Sequence, residues 1–165
     1  MTQRLLVLAL VVACRITNTA DPPDPPSFSI VVEPDTVRAR LNAQQRVQLD
    51  FLVRISNEGP GQLFVPACGH EIQRSAPNGT WTRVYTQPCP SGFVPPFALD
   101  AGEGWGYVVH ITAPVDSAPW RPGSIAGRYR AVSYISAEYR AGGAWGRPVP
   151  MNLRIAEFPV REQIP

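Results

Sequence analysis

Cysteine and histidine, the residue types most common in metal sites and covalent catalysis, are few in this sequence. There are 3 cysteines and 2 histidines. Cys68 and Cys89 each lie beside glycine or proline, and His70 follows Cys68 after one glycine. Thiolates with an imidazole could hold zinc or copper, but the compact spacing of a four-ligand site is missing. In an oxidising compartment, two such cysteines pair by default. We therefore expect a Cys68–Cys89 disulfide, no metal and no cofactor. His70 is then expected to be a bystander, free to be solvated.

Sequence patterns typical of catalysis are also missing. The chain has no Gly-x-Ser-x-Gly elbow, no His-Glu-x-x-His motif and no glycine-rich phosphate loop. His110 lies within an alternating segment, and the carboxylates Asp100 and Glu103 lie in a turn-forming sequence. The net charge is +2 and the basic residues form no run, so nucleic acid is not an expected partner. We predict that the protein is not an enzyme.

Two tryptophans are the candidate binding residues. Trp120 stands between prolines, and Trp145 stands in a glycine-rich segment, so both are expected in loops. Loop Trp on a rigid scaffold is a common means of binding a protein or a glycan. The alternative is that each ring folds back over the end of the domain core.

The N-terminal segment predicts export. Arg4 precedes an apolar run from Leu5 to Ala13, which has the length of a secretory signal core and is too short to span a bilayer. The box Val11-Val12-Ala13-Cys14 resembles the lipobox of bacterial lipoproteins. That resemblance implies removal of residues 1–13 and lipidation of Cys14, which would then anchor the chain to a membrane. An ordinary signal peptide cut near Thr19-Ala20 is the alternative.

The sequence predicts that the secondary structure around these residues consists of short strands. The 165 residues suffice for one domain, and the 13 glycines and 19 prolines favour turns over long helices. After the signal helix, residues 14–27 comprise the cysteine expected to carry the lipid and a proline-rich tether. From Phe28 the apolar residues alternate with polar ones, and this period of two predicts strands. The alternation is clearest in one predicted strand, in Val47, Leu49, Phe51, Val53 and Ile55.

These strands predict an all-β domain over residues 28–157, followed by a tail at 158–165. Asn78-Gly79 predicts a type I′ hairpin, and Met151–Ile155 is predicted as the last strand. An antiparallel two-sheet β-sandwich fits this pattern, with a closed barrel as the alternative.

Tyr129 makes the architecture more specific. It opens a late strand after Gly127 and a long loop, which resembles the tyrosine corner of immunoglobulin-like sandwiches. The order of features from Val47 to Tyr134 also resembles the immunoglobulin-like domain of the intracellular proteinase inhibitor family. The shared features are a long strand ending in Asn-x-Gly, a hairpin with a Trp, a Leu-x-x-Gly-Glu turn and a Gly-x-Tyr strand. This resemblance implies an immunoglobulin-like Greek key.

Taken together, these patterns predict a non-enzymatic envelope lipoprotein. Arg15, where inner-membrane retention would need Asp, implies the outer membrane, with the domain facing the periplasm or the cell surface. The domain is expected to bind an envelope protein or a glycan. The alternative function is inhibition of an exported protease.

Overall fold

The structure is a computed structural model that describes residues 26–44, 46–92, 94–114, 125–140, 144–146 and 148–162. The predictions for the signal peptide, for Cys14, for most of the tether and for Trp120 therefore lie outside the described residues. Within those residues, no helix has the length and apolar character needed to cross a membrane.

The described chain is built from strands. They are β1 (Phe28–Glu33), β2 (Val37–Leu41), β3 (Arg46–Asn57), β4 (Leu63–Val65), β5 (Glu71–Ser75), β6 (Trp81–Thr86), β7 (Phe97–Leu99), β8 (Gly104–Pro114), β9 (Gly127–Val132), β10 (Tyr139–Arg140), β11 (Ala144–Trp145) and β12 (Ile155–Glu162). A 3₁₀ turn, Met151–Leu153, precedes β12. The prediction of an all-β domain is confirmed.

The strands pair in two groups that β2 connects. In the first group, β3 lies between β1 and β8. In the second, the order is β12, β9, β5 and β6. The end of β2 pairs with β3, whereas its first half pairs with β12. The short pairs β4–β7 and β10–β11 lie outside this main sheet.

The two groups face each other across a shared apolar core. The ring of Phe51 in β3 contacts that of Phe158 in β12, with centroids 5.0 Å apart. All five apolar residues predicted for the inner face of β3 are buried: Val47, Leu49, Phe51, Val53 and Ile55. Each such side chain contributes about 1.5–3 kcal/mol by leaving water. The period of two in the sequence therefore identifies the core face of β3 correctly.

Tyr129 at the start of β9 behaves as its sequence context predicts. Its ring is fully buried, and its hydroxyl donates a hydrogen bond of 2.7 Å to the carbonyl of Ile125. Because that carbonyl lies just before β9, the bond fixes the angle at which the chain enters the strand.

Three predictions about the strands are wrong in detail. The pair β2–β12 is parallel, from Val37↔Val160 to Ala39↔Glu162, so the sheet is not purely antiparallel. The start of β2 belongs to the second group, and there it lies beside the last strand, β12, and runs in the same direction. The last strand also lies later in the chain than predicted. Phe158 and Val160 belong to the core and not to a tail, because Met151–Leu153 turns and β12 begins only at Ile155.

The β5–β6 hairpin closes differently from the predicted type I′ turn. The Gly79 N–H donates to the carbonyl of Ala76, which places Pro77 and Asn78 in the middle of the turn. Proline fixes φ near −65°, so it cannot occupy a position that requires positive φ. Gly79, at the end of the turn, has a left-handed conformation with φ of +80°.

Candidate functional site

A disulfide fixes one end of the sandwich. The sulfurs of Cys68 and Cys89 are bonded, and their Cα atoms lie 5.1 Å apart, in agreement with the predicted pairing. Between them, the Gly69 N–H donates to the carbonyl of Gln87, and the Gln87 N–H donates to the carbonyl of His70. Gly69 has φ of +85°, a conformation that residues with a Cβ rarely adopt. The loops after β4 and β6 are therefore held together covalently and by backbone pairing.

His70 lies directly inside this disulfide and is fully buried. It was expected to be a solvated bystander, and that expectation is wrong. Its Nε2–H donates to the carbonyl of Pro66 at 2.9 Å, so Nδ1 carries no proton in the neutral ring. Burial lowers the pKa of His70 to about 4, although the bond to Pro66 acts in the opposite direction. The imidazole is therefore neutral at physiological pH.

Aromatic rings cover His70. The Tyr107 ring stacks on the imidazole with centroids 4.5 Å apart and an interplanar angle of 14°. Trp105 lies 5.4 Å from the imidazole on the same side of β8, and Phe97 in turn contacts Trp105. These rings exclude water from His70, which is why its charged form is disfavoured.

An apolar groove opens beside the disulfide and has a volume of about 420 Å³. We call it the disulfide-end groove. It is formed by residues after β4, β9 and β11, namely Pro66, Cys68, Gly69, Tyr134, Ile135, Ser136, Gly146 and Pro148. Its volume lies within the range of sites that take a small ligand or a few side chains of a peptide.

The rim of this groove is charged and aromatic. The Tyr134 hydroxyl donates to a carboxylate oxygen of Glu71 at 3.2 Å, and Arg83 binds the same oxygen at 3.2 Å. The guanidinium of Arg154 lies over the Tyr134 ring, 5.3 Å from its centroid. Tyr134 is 40% exposed, so its ring reaches the surface while its hydroxyl is held in place.

The ionisation of these groups is set by their contacts. Partial burial opposes the charge on Glu71, but hydrogen bonds from Gln73, Arg83 and Tyr134 outweigh it and hold the pKa of Glu71 below its usual value. Burial and the neighbouring Glu71 raise the pKa of Tyr134. The rim therefore carries a neutral phenol between a carboxylate and two guanidiniums over the physiological pH range.

A second hollow, of about 540 Å³, lies near the crossover from β1 to β2. Charges of both signs line it, including Asp35, Asp50, Arg38 and Arg40. Asp50 also pairs with His110 of β8 on the outer face of the sheet. Because four of the six residues that line this hollow are charged, the more apolar disulfide-end groove is the better candidate site.

The structure brings together only some of the residues that the sequence singled out. Cys68 lines the groove, and so does Gly146, the residue after Trp145. The prediction that Trp145 lies in a loop is wrong, because its backbone pairs with Tyr139 in β10–β11. No group of three or more His, Cys, Asp or Glu side chains that could hold a metal occurs in the described part of the chain.

Sequence reasoning missed Tyr134, Glu71 and Arg154 as members of one site. Tyr134 follows β9, Glu71 begins β5, and Arg154 lies between the Met151–Leu153 turn and β12, so only the strand order makes them neighbours. The one signal in the sequence is local, namely an aromatic residue, Tyr134, shortly after the Gly-x-Tyr segment. The structure adds that Tyr134 is exposed directly after the buried residues Ala131–Ser133.

Comparisons with known proteins add little to this geometry. No protein-family model matches the chain, and no curated protein matches it. Among solved structures, a protein described as ApaA from Bordetella pertussis has 17% identity and a TM-score of 0.44, over 85% of this chain and 93% of that one. The CARDB domain of a Pyrococcus furiosus protein, solved with two metal ions, has 16% identity and a TM-score of 0.41, over 85% and 90%. Such low values carry no argument, so the architecture rests on this chain's own strand pairing.

Proposed function

We propose that this chain is a non-enzymatic envelope lipoprotein whose sandwich binds a segment of another envelope protein. In this proposal, Cys14 carries the lipid and residues 14–27 hold the domain away from the membrane. The bound segment inserts apolar side chains into the disulfide-end groove. A membrane bearing the anchor, and one protein partner on the sandwich, are the two contacts the molecule makes.

The sandwich in this proposal is an immunoglobulin-like Greek key. Its support is the connectivity, in which β2 pairs with both groups and the last strand, β12, pairs with it in parallel. The bond from Tyr129 to the carbonyl of Ile125 agrees with the tyrosine corner of such domains.

The groove with its rim is the observation that carries the binding function. An apolar floor next to an exposed Tyr and an Arg is the combination enriched where proteins bind one another. The disulfide and the bond from Tyr134 to Glu71 hold this surface in one conformation before any partner arrives. Preorganisation of this kind lowers the entropic cost of binding.

The positions of the histidines support a role without catalysis. His70 is fully buried under Tyr107, and His110 is paired with Asp50 on the outer face of β3 and β8. Neither imidazole lines the disulfide-end groove. The groove therefore offers apolar contact and hydrogen bonding, without an imidazole.

The anchor is tested by the mass of the mature protein. We expect the chain purified from the membrane fraction of its own organism to begin at Cys14 and to carry the added mass of acyl chains. Two or more chains give stable anchoring, since each buried methylene contributes about 0.8 kcal/mol. The Cys14→Ala variant should lose the acyl mass and leave the membrane fraction. A mature N-terminus near residue 20, without acyl mass, would contradict the proposal.

The binding surface is tested by photo-crosslinking in living cells. A benzoyl-phenylalanine placed at Tyr134 should form an adduct with one envelope protein. The matched control is the same residue at Leu41, which is 52% exposed and lies at the opposite end of β3. Adducts at position 134 and none at position 41 are the expected result. Equal labelling at both positions, or none at 134, would refute the groove as the binding surface.

The same experiment separates the alternative function, which is inhibition of an exported protease. An inhibitor would crosslink to a protease and block it at equal stoichiometry. An adduct with a protein that has no protease activity would exclude inhibition at this surface.

A further inference from the structure

We propose that the open edge of β8 pairs with the same strand of a second copy of the chain. Within the described residues, β8 pairs with β3 along all of its 11 residues and with no other strand. Its other edge is therefore a long template for an additional strand.

The direction of the backbone groups along β8 follows from one hydrogen bond. The Asn57 N–H donates to the carbonyl of Glu103, so Asn57 and every second residue before it direct their backbone groups toward β8. Their partners in β8 begin at Trp105 and Tyr107. The residues between these partners direct N–H and C=O away from β3, and they are Gly104, Gly106, Val108, His110 and Thr112.

These edge residues are also the ones that solvent reaches. All are exposed, and Val108 is 70% exposed, more than any other large apolar residue described. The carbonyl of Thr112 accepts a bond from the Arg46 guanidinium at 3.2 Å, on the exposed surface, which a pairing strand would displace.

The edge also lacks the usual protection against strand pairing. Edge strands are commonly blocked by charged residues, prolines or bulges. From Gly104 to Ala113 there is no Asp, Glu, Lys or Arg, and the first proline is Pro114. Of the other edge strands of the main sheet, β1 contains Glu33, and β6 contains Arg83 and pairs with β5 irregularly between Ile72 and Gln73. These edges therefore carry features that prevent association, and β8 does not.

The strand is complementary to itself in one antiparallel register. Placing Val108 opposite Val108 of the second copy sets Gly106 opposite His110 and Gly104 opposite Thr112. Each larger edge residue then meets a glycine, and no like charges face each other. The His110 side chain is paired with Asp50 of its own copy. The pairing would add roughly ten backbone hydrogen bonds and join the two β1–β3–β8 groups into one continuous sheet.

Cysteine crosslinking tests both the pairing and the register. In this register the two Val108 Cα atoms lie about 5.5 Å apart, within the reach of a disulfide. The two His110 Cα atoms would be roughly 14 Å apart, and those of Thr112 farther still. Val108→Cys, His110→Cys and Thr112→Cys therefore form a matched series of exposed positions on one face of one strand.

The three variants are produced in cells, and the fraction containing the chain, membrane or soluble, is oxidised with copper–phenanthroline and run without reductant. We expect Val108→Cys to give at least about tenfold more dimer than the two controls, as the disulfide geometry requires. A monomer for Val108→Cys, or equal dimer for all three, would overturn the proposal.

Val108→Pro removes an edge N–H without touching the β3 ladder, and it should abolish association while Val108→Thr retains it. The outcome does not depend on the groove or the lipid anchor.

Discussion

Asn57 closes the end of β3 through its side chain. Its Nδ2 donates to the carbonyls of Gly61 and Leu99, and its Oδ1 accepts from the Gly59 N–H. The residue is only 2% exposed, so water cannot replace these bonds. The Asn-x-Gly pattern in the sequence therefore marks a buried clamp between two turns, and not merely the end of a strand.

Replacing Asn57 by Ala should lower the free energy of unfolding by about 3 kcal/mol, because buried groups lose their partners. The matched control is Asn42→Ala. Its Oδ1 also accepts backbone bonds, from Gln44 and Arg46, but at a turn with access to solvent. Urea unfolding should show a loss of about 1 kcal/mol or less for the control. Equal losses for both variants would show that burial of the amide does not matter.

His70 should make the stability depend on pH. The folded pKa of about 4 lies below the ordinary value of 6.5, so between these values the unfolded chain binds one more proton than the folded chain. The free energy of unfolding therefore falls as the pH falls below about 6.5, by roughly 1.4 kcal/mol per unit, and levels off near the folded pKa.

This dependence is measured by urea unfolding at pH 7 and pH 5 for the native chain and for His70→Gln. The variant should be less stable at pH 7, because the stacking on Tyr107 is lost, but its stability should change less between the two pH values. A variant with the same pH dependence as the native chain would assign that dependence to other groups.

At the scale of the elements, sequence patterns and structure agree where the signal is local. The inner face of β3 follows from alternation alone, because an alternating strand can bury only one set of its residues. The last strand does not follow, because Met151, Leu153 and Ile155 also alternate. The position of the turn Met151–Leu153 depends on the pairing of Ile155 with Val132 at the end of β9, and that pairing is a tertiary contact.

The Cys68–Cys89 disulfide links the loops after β4 and β6, which two backbone hydrogen bonds also join. Replacing both cysteines by Ala should lower the free energy of unfolding by about 3 kcal/mol, the value expected from the entropy of closing a loop of this size. Thermal unfolding followed by circular dichroism measures the loss. Cys14→Ala alone, which leaves this loop closed, should unfold at the native temperature, and an unchanged midpoint for the double variant would contradict the predicted loss.

At the scale of the whole molecule, the candidate site was beyond reach of the sequence. Cys68 and Cys89 could be paired from their number and context, but Glu71, Tyr134 and Arg154 become neighbours only through the order β12, β9, β5. That order is set by long-range pairing, which no local pattern encodes. The role of Trp145 in binding stays a prediction, and the structure shows only that the next residue, Gly146, lines the groove.

The parallel pair of β2 and β12 has a mechanical consequence. If the start of the chain is held by a lipid and a load pulls on the chain after β12, β2 and β12 are drawn lengthwise past each other. The bonds from Val37↔Val160 to Ala39↔Glu162 lie across that direction and would have to break together rather than one after another. Strands in this arrangement resist tension far better than a hairpin that opens from its end. A domain loaded in this way would stay folded while it transmits the force.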